Sequence, residues 1–361
     1  MSDPHASVRR DRFGTTAEGT PVDRFTLDNG RGAVVRLISY GAIVTELRVP
    51  DRQGQSADVV LGYDAIGGYE ADTSYLGATV GRVAFRIPRG RFELDGRTYQ
   101  LTLNVSPNHL HGGVRGFSKC VWKAETSDAG GEPSVKFTLR SPDGDQGYPG
   151  ALHATVAYTL ARPCALRIDY TATTDRPTPV SMTHHGYFNL SGRPGADVLG
   201  HRLSVPARNF APLSAEGVSV GKFVPVAGTP FDLNEPAALR DRMQPGGETA
   251  VGFDNAFLPA HGGGALARVA LVYEPQSGRQ MEVLSTQPAV VVYTANHFDG
   301  TIRGKGGTLY PKHAGLCIEP AHLPNAVNHP EWPFPPVVLR PGQTYQQSCI
   351  YAFSTLSSDP T

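Results

Sequence analysis

The sequence predicts an all-β fold, a large antiparallel sandwich or barrel with few short helices. Three observations carry this. Glycine and proline are frequent, 41 and 30 among 361 residues, which interrupts any long helix. Most apolar segments are short and alternate with period two. Turn-forming residues separate them along the whole length, with no low-complexity linker and no fixed-period repeat. Residues 1–361 are therefore read as one domain, whose polar ends, about 1–20 and 356–361, are expected to be loose.

The elements follow in order. "DAIGGYEA" (64–71) suggests a short helix. "RFELDGRTYQLTL" (91–103) is the clearest hairpin: apolar residues alternate on both sides of Asp95-Gly96, a pair that tolerates the positive φ of a tight turn. "ALHATVAYTL" and "ALRIDYTAT" (151–160 and 165–173) pair around "ARPC". "EPAALRDRM" (235–243) suggests a second short helix. "ARVALVYEP", "RQMEVLST" and "AVVVYTAN" (266–296) are expected to form a meander, and "TYQQSCIYAF" (344–353) the closing strand.

Composition bounds the function. The chain carries 33 basic and 33 acidic residues, so no net field draws it to nucleic acid or an acidic membrane. Cys120, Cys164, Cys317 and Cys349 form no CxxC, and two sit in apolar runs, which suits buried thiols in a reducing compartment. The start, "MSDPHASVRRDRFG", lacks the apolar core of a signal peptide, and no stretch is long and apolar enough to span a bilayer as a helix. These features lead to the expectation of a soluble cytoplasmic protein; a small-molecule partner and a monomer or homodimer are further expectations that they do not themselves decide.

Several constellations are able to carry chemistry. In "GLCIEPAHLPNAVNHP" (315–330) an apolar run ends in one acid, Glu319, followed by a proline-stiffened loop with His322, Asn325, Asn328 and His329. Glu319 is either a surface acid before a turn or a general base held in a pocket. "NHLHGG" (108–113) sets His109 and His111 on one face if it is strand, which is half a metal site or one pocket residue beside one packing residue. Adjacent His184 and His185 in "SMTHHGYFNLSG" (181–192) face opposite ways in a strand, so at most one serves a given pocket; Tyr187 follows as an aromatic wall. Arg82 and Arg86 lie in a mostly apolar, Gly-bounded segment and require a carboxylate or a polyhydroxyl ligand, unless they face solvent. Asp254 stands between aromatics in "VGFDNAFL" (251–258). There is no G-x-S-x-G, P-loop or Rossmann fingerprint, and no cysteine beside a base. Acid, histidine and arginine without a nucleophile suit proton transfer on a neutral polar molecule, with no metal, organic cofactor or covalent intermediate.

Taken together these motifs resemble the aldose 1-epimerase (galactose mutarotase) family, in order from about residue 20 to 355. "GRVAFRI" is similar to the family's G-R-x-A-N-R-I, "NHLHGG" to N-x-L-H-G-G and "THHGYFNLSG" to T-N-H-x-Y-F-N-L-S-G. "GFDNAFL" is similar to G-x-D-H-x-F and "CIEPAHLPNAVNHP" to x-E-T-Q-x-x-P-D-A-V-N; "DQGYPG" and "GTPFDL" add to the series. The resemblance implies a large β-sandwich with an open sugar cleft and an isomerase that interconverts hexose anomers. It implies Glu319 as catalytic base, His185 as general acid, and Arg82, His111 and Asp254 as sugar-binding residues. It gives His109 and His184 no role. Tyr187 is expected to stack on the sugar.

The departures sit beside these positions. Phe85 stands where the family has Asn, His184 replaces Asn, Asn255 replaces His, Pro320 and Ala321 replace Thr and Gln, and Asn325 replaces Asp. Phe85 thereby becomes a candidate substrate contact with no hydrogen bond to offer, unless it points into the core. This leaves open a paralogue acting on a deoxy or otherwise specialised hemiacetal. A non-catalytic sugar-binding protein and a metal enzyme built on His109, His111 and Glu319 are further alternatives.

Overall fold

The computed structural model describes residues 6–357 except 215 and 220. It is a β-structure built on three principal sheets. A nine-stranded antiparallel sheet runs in the order Lys123–Ser127, Ser134–Ser141, Leu152–Ala161, Ala165–Thr174, Tyr345–Thr355, Arg279–Ser285, Ala267–Tyr273, Arg202–Ser204 and Ala237–Ala238. A five-stranded sheet, Ser7–Thr15 to Ser56–Asp58, is a simple meander. A second five-stranded sheet runs Val224–Pro225, Ala207–Ala211, Asp254–Pro259, Ala289–Tyr293 and Cys317–Ala321. All three contribute to one apolar core, with Phe25, Val35, Phe137, Ile168, Val283, Phe257, Val292, Ile318 and Tyr351 among its members. Among the described residues the α-helices are Ile66–Ala71 and Leu239–Arg242, and no helix is long and apolar enough to cross a membrane.

The hairpin read over 91–103 forms between Arg91–Leu94 and Arg97–Gln100, three residues shorter than expected, with Asp95 at φ 51° and Gly96 at φ 73° in its turn. Leu152–Ala161 and Ala165–Thr174 also pair in full register. Three expectations change. Strand Ser7–Thr15 pairs with Pro21–Asp28, so residues 7–15 are not loose. Its polar sequence is that of a sheet edge, where Arg10 pairs with Asp23 at 2.6 Å and Arg24 with Asp11 at 2.9 Å. Residues 1–5 and 358–361 lie outside the described residues. The meander expected over 266–296 divides: Ala267–Tyr273 pairs with Arg279–Ser285, but Ala289–Tyr293 belongs to the other sheet, between Asp254–Pro259 and Cys317–Ala321. The last long strand is interior, between Ala165–Thr174 and Arg279–Ser285.

The alternation of the second five-stranded sheet positions the site. On Cys317–Ala321, Ile318 points into the core while Cys317, Glu319 and Ala321 share the opposite face. Across the ladder Val291 is paired with Glu319, and Tyr293 with both Cys317 and Asp254. A short strand, Thr183–His185, brings His185 to the same face and pairs with Ala78–Val80.

Candidate active site

A cavity of about 340 Å³ opens on this face. Its lining brings together Glu319, His185, His111, Asp254, Phe85 and Tyr187, along with Arg86 and Tyr75. Glu319 and His185 are buried, 2% and 5% exposed, and Glu319 Oε2 lies 3.7 Å from His185 Nε2. Glu319 Oε2 makes no hydrogen bond within the protein. Burial, reinforced by the nearby Asp254 charge, pushes the Glu319 carboxyl well above its ordinary range. Burial also lowers His185 to about 4. Both shifts disfavour the charged forms, so each group resists ionisation until another contact offsets its burial.

Ring contacts fix the imidazole of His185. Tyr75 stacks on it at 5.9 Å with an interplanar angle of 24°, and Tyr187 at 5.0 Å and 23°. Two tyrosine faces also favour a cationic ring, which opposes the effect of burial. Tyr187 is anchored by its hydroxyl, which donates to the Ser74 carbonyl at 2.9 Å, and its ring is also stacked with Phe298 at 5.1 Å. With His185 and Phe298 stacked on it, Tyr187 has no free face for a sugar, so the stacking role expected for it is corrected to one of holding His185.

His111 has a defined tautomer. The Phe85 backbone N–H donates to its Nδ1 at 3.2 Å, which leaves the proton of the neutral ring on Nε2. Burial, with the His185 charge second, holds His111 well below the usual histidine range, so it is neutral. Tyr75, Phe85 and His111 all have positive φ, at 60°, 68° and 51°. Three non-glycine residues in left-handed backbone around one cavity mark a place where local preference yields to function.

Arg82 does not reach this cavity. It is 2% exposed, and its Nε donates to Ser141 Oγ at 2.9 Å, one terminal nitrogen to the Pro149 and Gly150 carbonyls at 3.0 and 2.9 Å, and the other to the Pro142 carbonyl at 2.7 Å. It pins the "DQGYPG" loop, and the substrate-binding role expected of it is withdrawn. Arg86 lines the cavity instead. Burial raises the Asp254 carboxyl above its ordinary range, and the Arg86 charge opposes that rise without cancelling it. His109 is held between the Thr102 carbonyl and the Tyr148 hydroxyl, each at 2.7 Å, and is absent from the cavity. His111 leaves the two-residue strand His109–Leu110, so the pair does not share a face as an HxH metal motif would. His184 lies among Tyr158, Phe188 and Tyr351 with neither ring nitrogen hydrogen-bonded. Asn325 and Asn328 bond each other at 2.8 Å, and His329 stacks on Trp332 at 4.2 Å, so the loop after Glu319 is stiffened by its own contacts.

A family model described as aldose 1-epimerase matches residues 23–352. The chain belongs to the aldose 1-epimerase family. It is accordingly an isomerase of that type. The galactose mutarotase of Homo sapiens is 42% identical over 350 residues, 97% of this chain and 99% of that protein. The aldose 1-epimerase of Escherichia coli K12 is 36% identical over 338 residues, 93% and 96% of the two chains. The crystal structure of galactose 1-epimerase from Lactobacillus acidophilus NCFM superposes with a TM-score of 0.84 at 25% identity, over 97% of this chain and 99% of that one.

Several cavity-facing residues escape the motif reading, Tyr75, Arg86, Val291, Tyr293 and His297 among them. Val291 sits in an apolar run with no polar signature, and only the ladder places it opposite Glu319. Arg86 is visible in the sequence beside Arg82, but which of two arginines four positions apart is buried in protein contacts is a tertiary fact.

Proposed function

We propose that the chain interconverts the α and β anomers of a free aldohexose, with Glu319 as base and His185 as acid. The observation that carries this is the placement of Glu319 Oε2: buried, without a hydrogen bond in the protein, and 3.7 Å from His185 Nε2 at the wall of a sugar-sized cavity. Glu319 takes the proton of the C1 hydroxyl while His185 Nε2 gives one to the ring oxygen. The C1–O5 bond breaks and an aldehyde forms. C1 rotates, and closure on the other face reverses both transfers. Each transfer contributes a factor of roughly 10²–10⁴. His111, neutral with its proton on Nε2, donates to a sugar oxygen; Asp254 accepts from sugar hydroxyls; Arg86 donates to them and balances Asp254. Tyr75 and Tyr187 hold the acid in line.

A second reading keeps the chemistry and changes the substrate. Phe85, Leu110, Val291 and Ile302 give the cavity an apolar side, which favours a hemiacetal lacking a hydroxyl there. Four free thiols support a reducing compartment, the cytoplasm. The direct test is polarimetry on freshly dissolved α-D-galactose, α-D-glucose and their deoxy analogues. The protein should accelerate equilibration of at least one of them well above the buffer rate. No acceleration of any of them would refute the proposal.

A further inference from the structure

We propose that His185, Cys317 and Glu319 form a binding site for a thiophilic divalent cation, Zn²⁺ or Cd²⁺, and that its occupation silences the enzyme. The inference rests on the acid–base reading above, because the ion takes the two groups that the reaction needs. Cys317 and Glu319 are two residues apart on one strand and so share a face; His185 meets them from the neighbouring strand. Cys317 Sγ lies 3.7 Å from His185 Nδ1, and Glu319 Oε2 lies 3.7 Å from His185 Nε2; these are the two nitrogens of one ring, so an ion takes one of them and the side chain on the other side moves in to meet it. One ligand atom from each residue lies within 4.8 Å of the other two, and all three residues are buried.

Tetrahedral zinc, with bonds of about 2.0–2.3 Å, spaces its ligand atoms roughly 3.3–3.8 Å apart. A side-chain movement of about 1 Å closes this set onto an ion. The second observation is Glu319 Oε2 itself, buried and without a hydrogen bond in the protein, aimed at the histidine. One nitrogen, one sulfur and one oxygen select a borderline-soft ion over Mg²⁺ or Ca²⁺, which require oxygen ligands. The ion enters through the cavity, since His185 and Glu319 both line it. Binding forms the metal–sulfur bond and releases the thiol proton to solvent. Sugar and ion then compete for the same carboxylate and imidazole.

The test uses full-length protein freed of metal by chelation. Cd²⁺ is titrated in while the ultraviolet thiolate-to-cadmium absorbance is followed, and mutarotation is measured against Zn²⁺ at several galactose concentrations. The wild type should build the absorbance with one equivalent, and Zn²⁺ should raise the apparent KM for galactose. Loss of an outer partner of a metal site already costs about 10–100-fold in affinity, so Cys317→Ala should need at least about tenfold more Zn²⁺ for equal inhibition, each variant being referred to its own metal-free rate. Cys317→Ser is the second variant should the alanine protein not fold. Equal Zn²⁺ sensitivity in wild type and both variants, or equal absorbance on Cd²⁺ addition, would overturn the site. Failure of the acid–base reading shows separately, as wild-type turnover in metal-free Glu319→Gln.

Discussion

Burial pushes the Glu319 carboxyl up and the His185 imidazole down, so each tends to give up its charge. The neutral pair and the ion pair differ only in where one proton sits, 3.7 Å separating Glu319 Oε2 from His185 Nε2. The tyrosines on the imidazole and the hydroxyls of an incoming sugar favour the charged arrangement, in which Glu319 is ready to accept and His185 to donate. Arginine shows how much one residue's surroundings decide. Arg86→Lys removes a planar fork at the cavity and should raise KM for galactose by more than it lowers kcat. Arg82→Lys leaves buried carbonyls short of donors, at about 1–3 kcal/mol each, and should lower unfolding stability in urea while KM stays near wild type. The opposite assignment of effects in kinetics and unfolding would return Arg82 to the substrate. Motif matching selected Arg82 because spacing alone does not say which of two arginines meets a loop's carbonyls.

Strand alternation did most of the legible work at the level of elements. It predicted the hairpin around Asp95-Gly96 and the long pair at 152–174, where one face is buried and the other is not. It failed for Ala289–Tyr293, which is buried on both faces and reads as an unbroken apolar run, so nothing in it names its sheet. It failed for Ser7–Thr15, where an edge strand exposed on both sides looks like a tail. The Glu319 strand was legible because its acid breaks an apolar run. Phe85 belongs here too. It packs with Val291, Ala321 and Leu323, and it also lines the cavity, so both positions weighed for it hold at once. A sugar hydroxyl facing this side lacks a partner and costs roughly 1–3 kcal/mol, about one to two decades in kcat/KM. Across a panel of deoxy-galactoses and deoxy-glucoses, one analogue should therefore outperform its parent, and Phe85→Asn should shift the ratio back toward the parent. Unchanged ratios in that variant would assign Phe85 to packing alone.

At the scale of the molecule, the fold holds His184 in the interior as a neutral ring, lowered by burial to about 3. The unfolded chain binds its proton near pH 6.5 and the folded chain does not, so the stability tied to His184 is present above pH 6.5 and drains as pH falls toward 3. The slope is at most about 1.4 kcal/mol per pH unit in that window. His184→Leu removes it, since neither ring nitrogen has a hydrogen bond to lose. Urea unfolding at pH 7 and pH 5 should show the wild type losing more stability than the variant; equal losses would mean that His184 is charged or solvated in the folded state. The sandwich itself was predictable from glycine, proline and period-two alternation, whereas the meeting of the second five-stranded sheet with the short strands Arg86–Ile87 and Thr183–His185 around one cavity was not, because no local pattern encodes which faces turn toward each other. The proposed chemistry turns on a proton that Glu319 and His185 would each exchange with the sugar. The most direct measurement is kcat for galactose mutarotation in Glu319→Gln, His185→Asn and the double variant. Each single substitution should lower kcat at least about a hundredfold, and the double should be little worse than either, because the two act as a unit. Turnover near wild type in Glu319→Gln would contradict it.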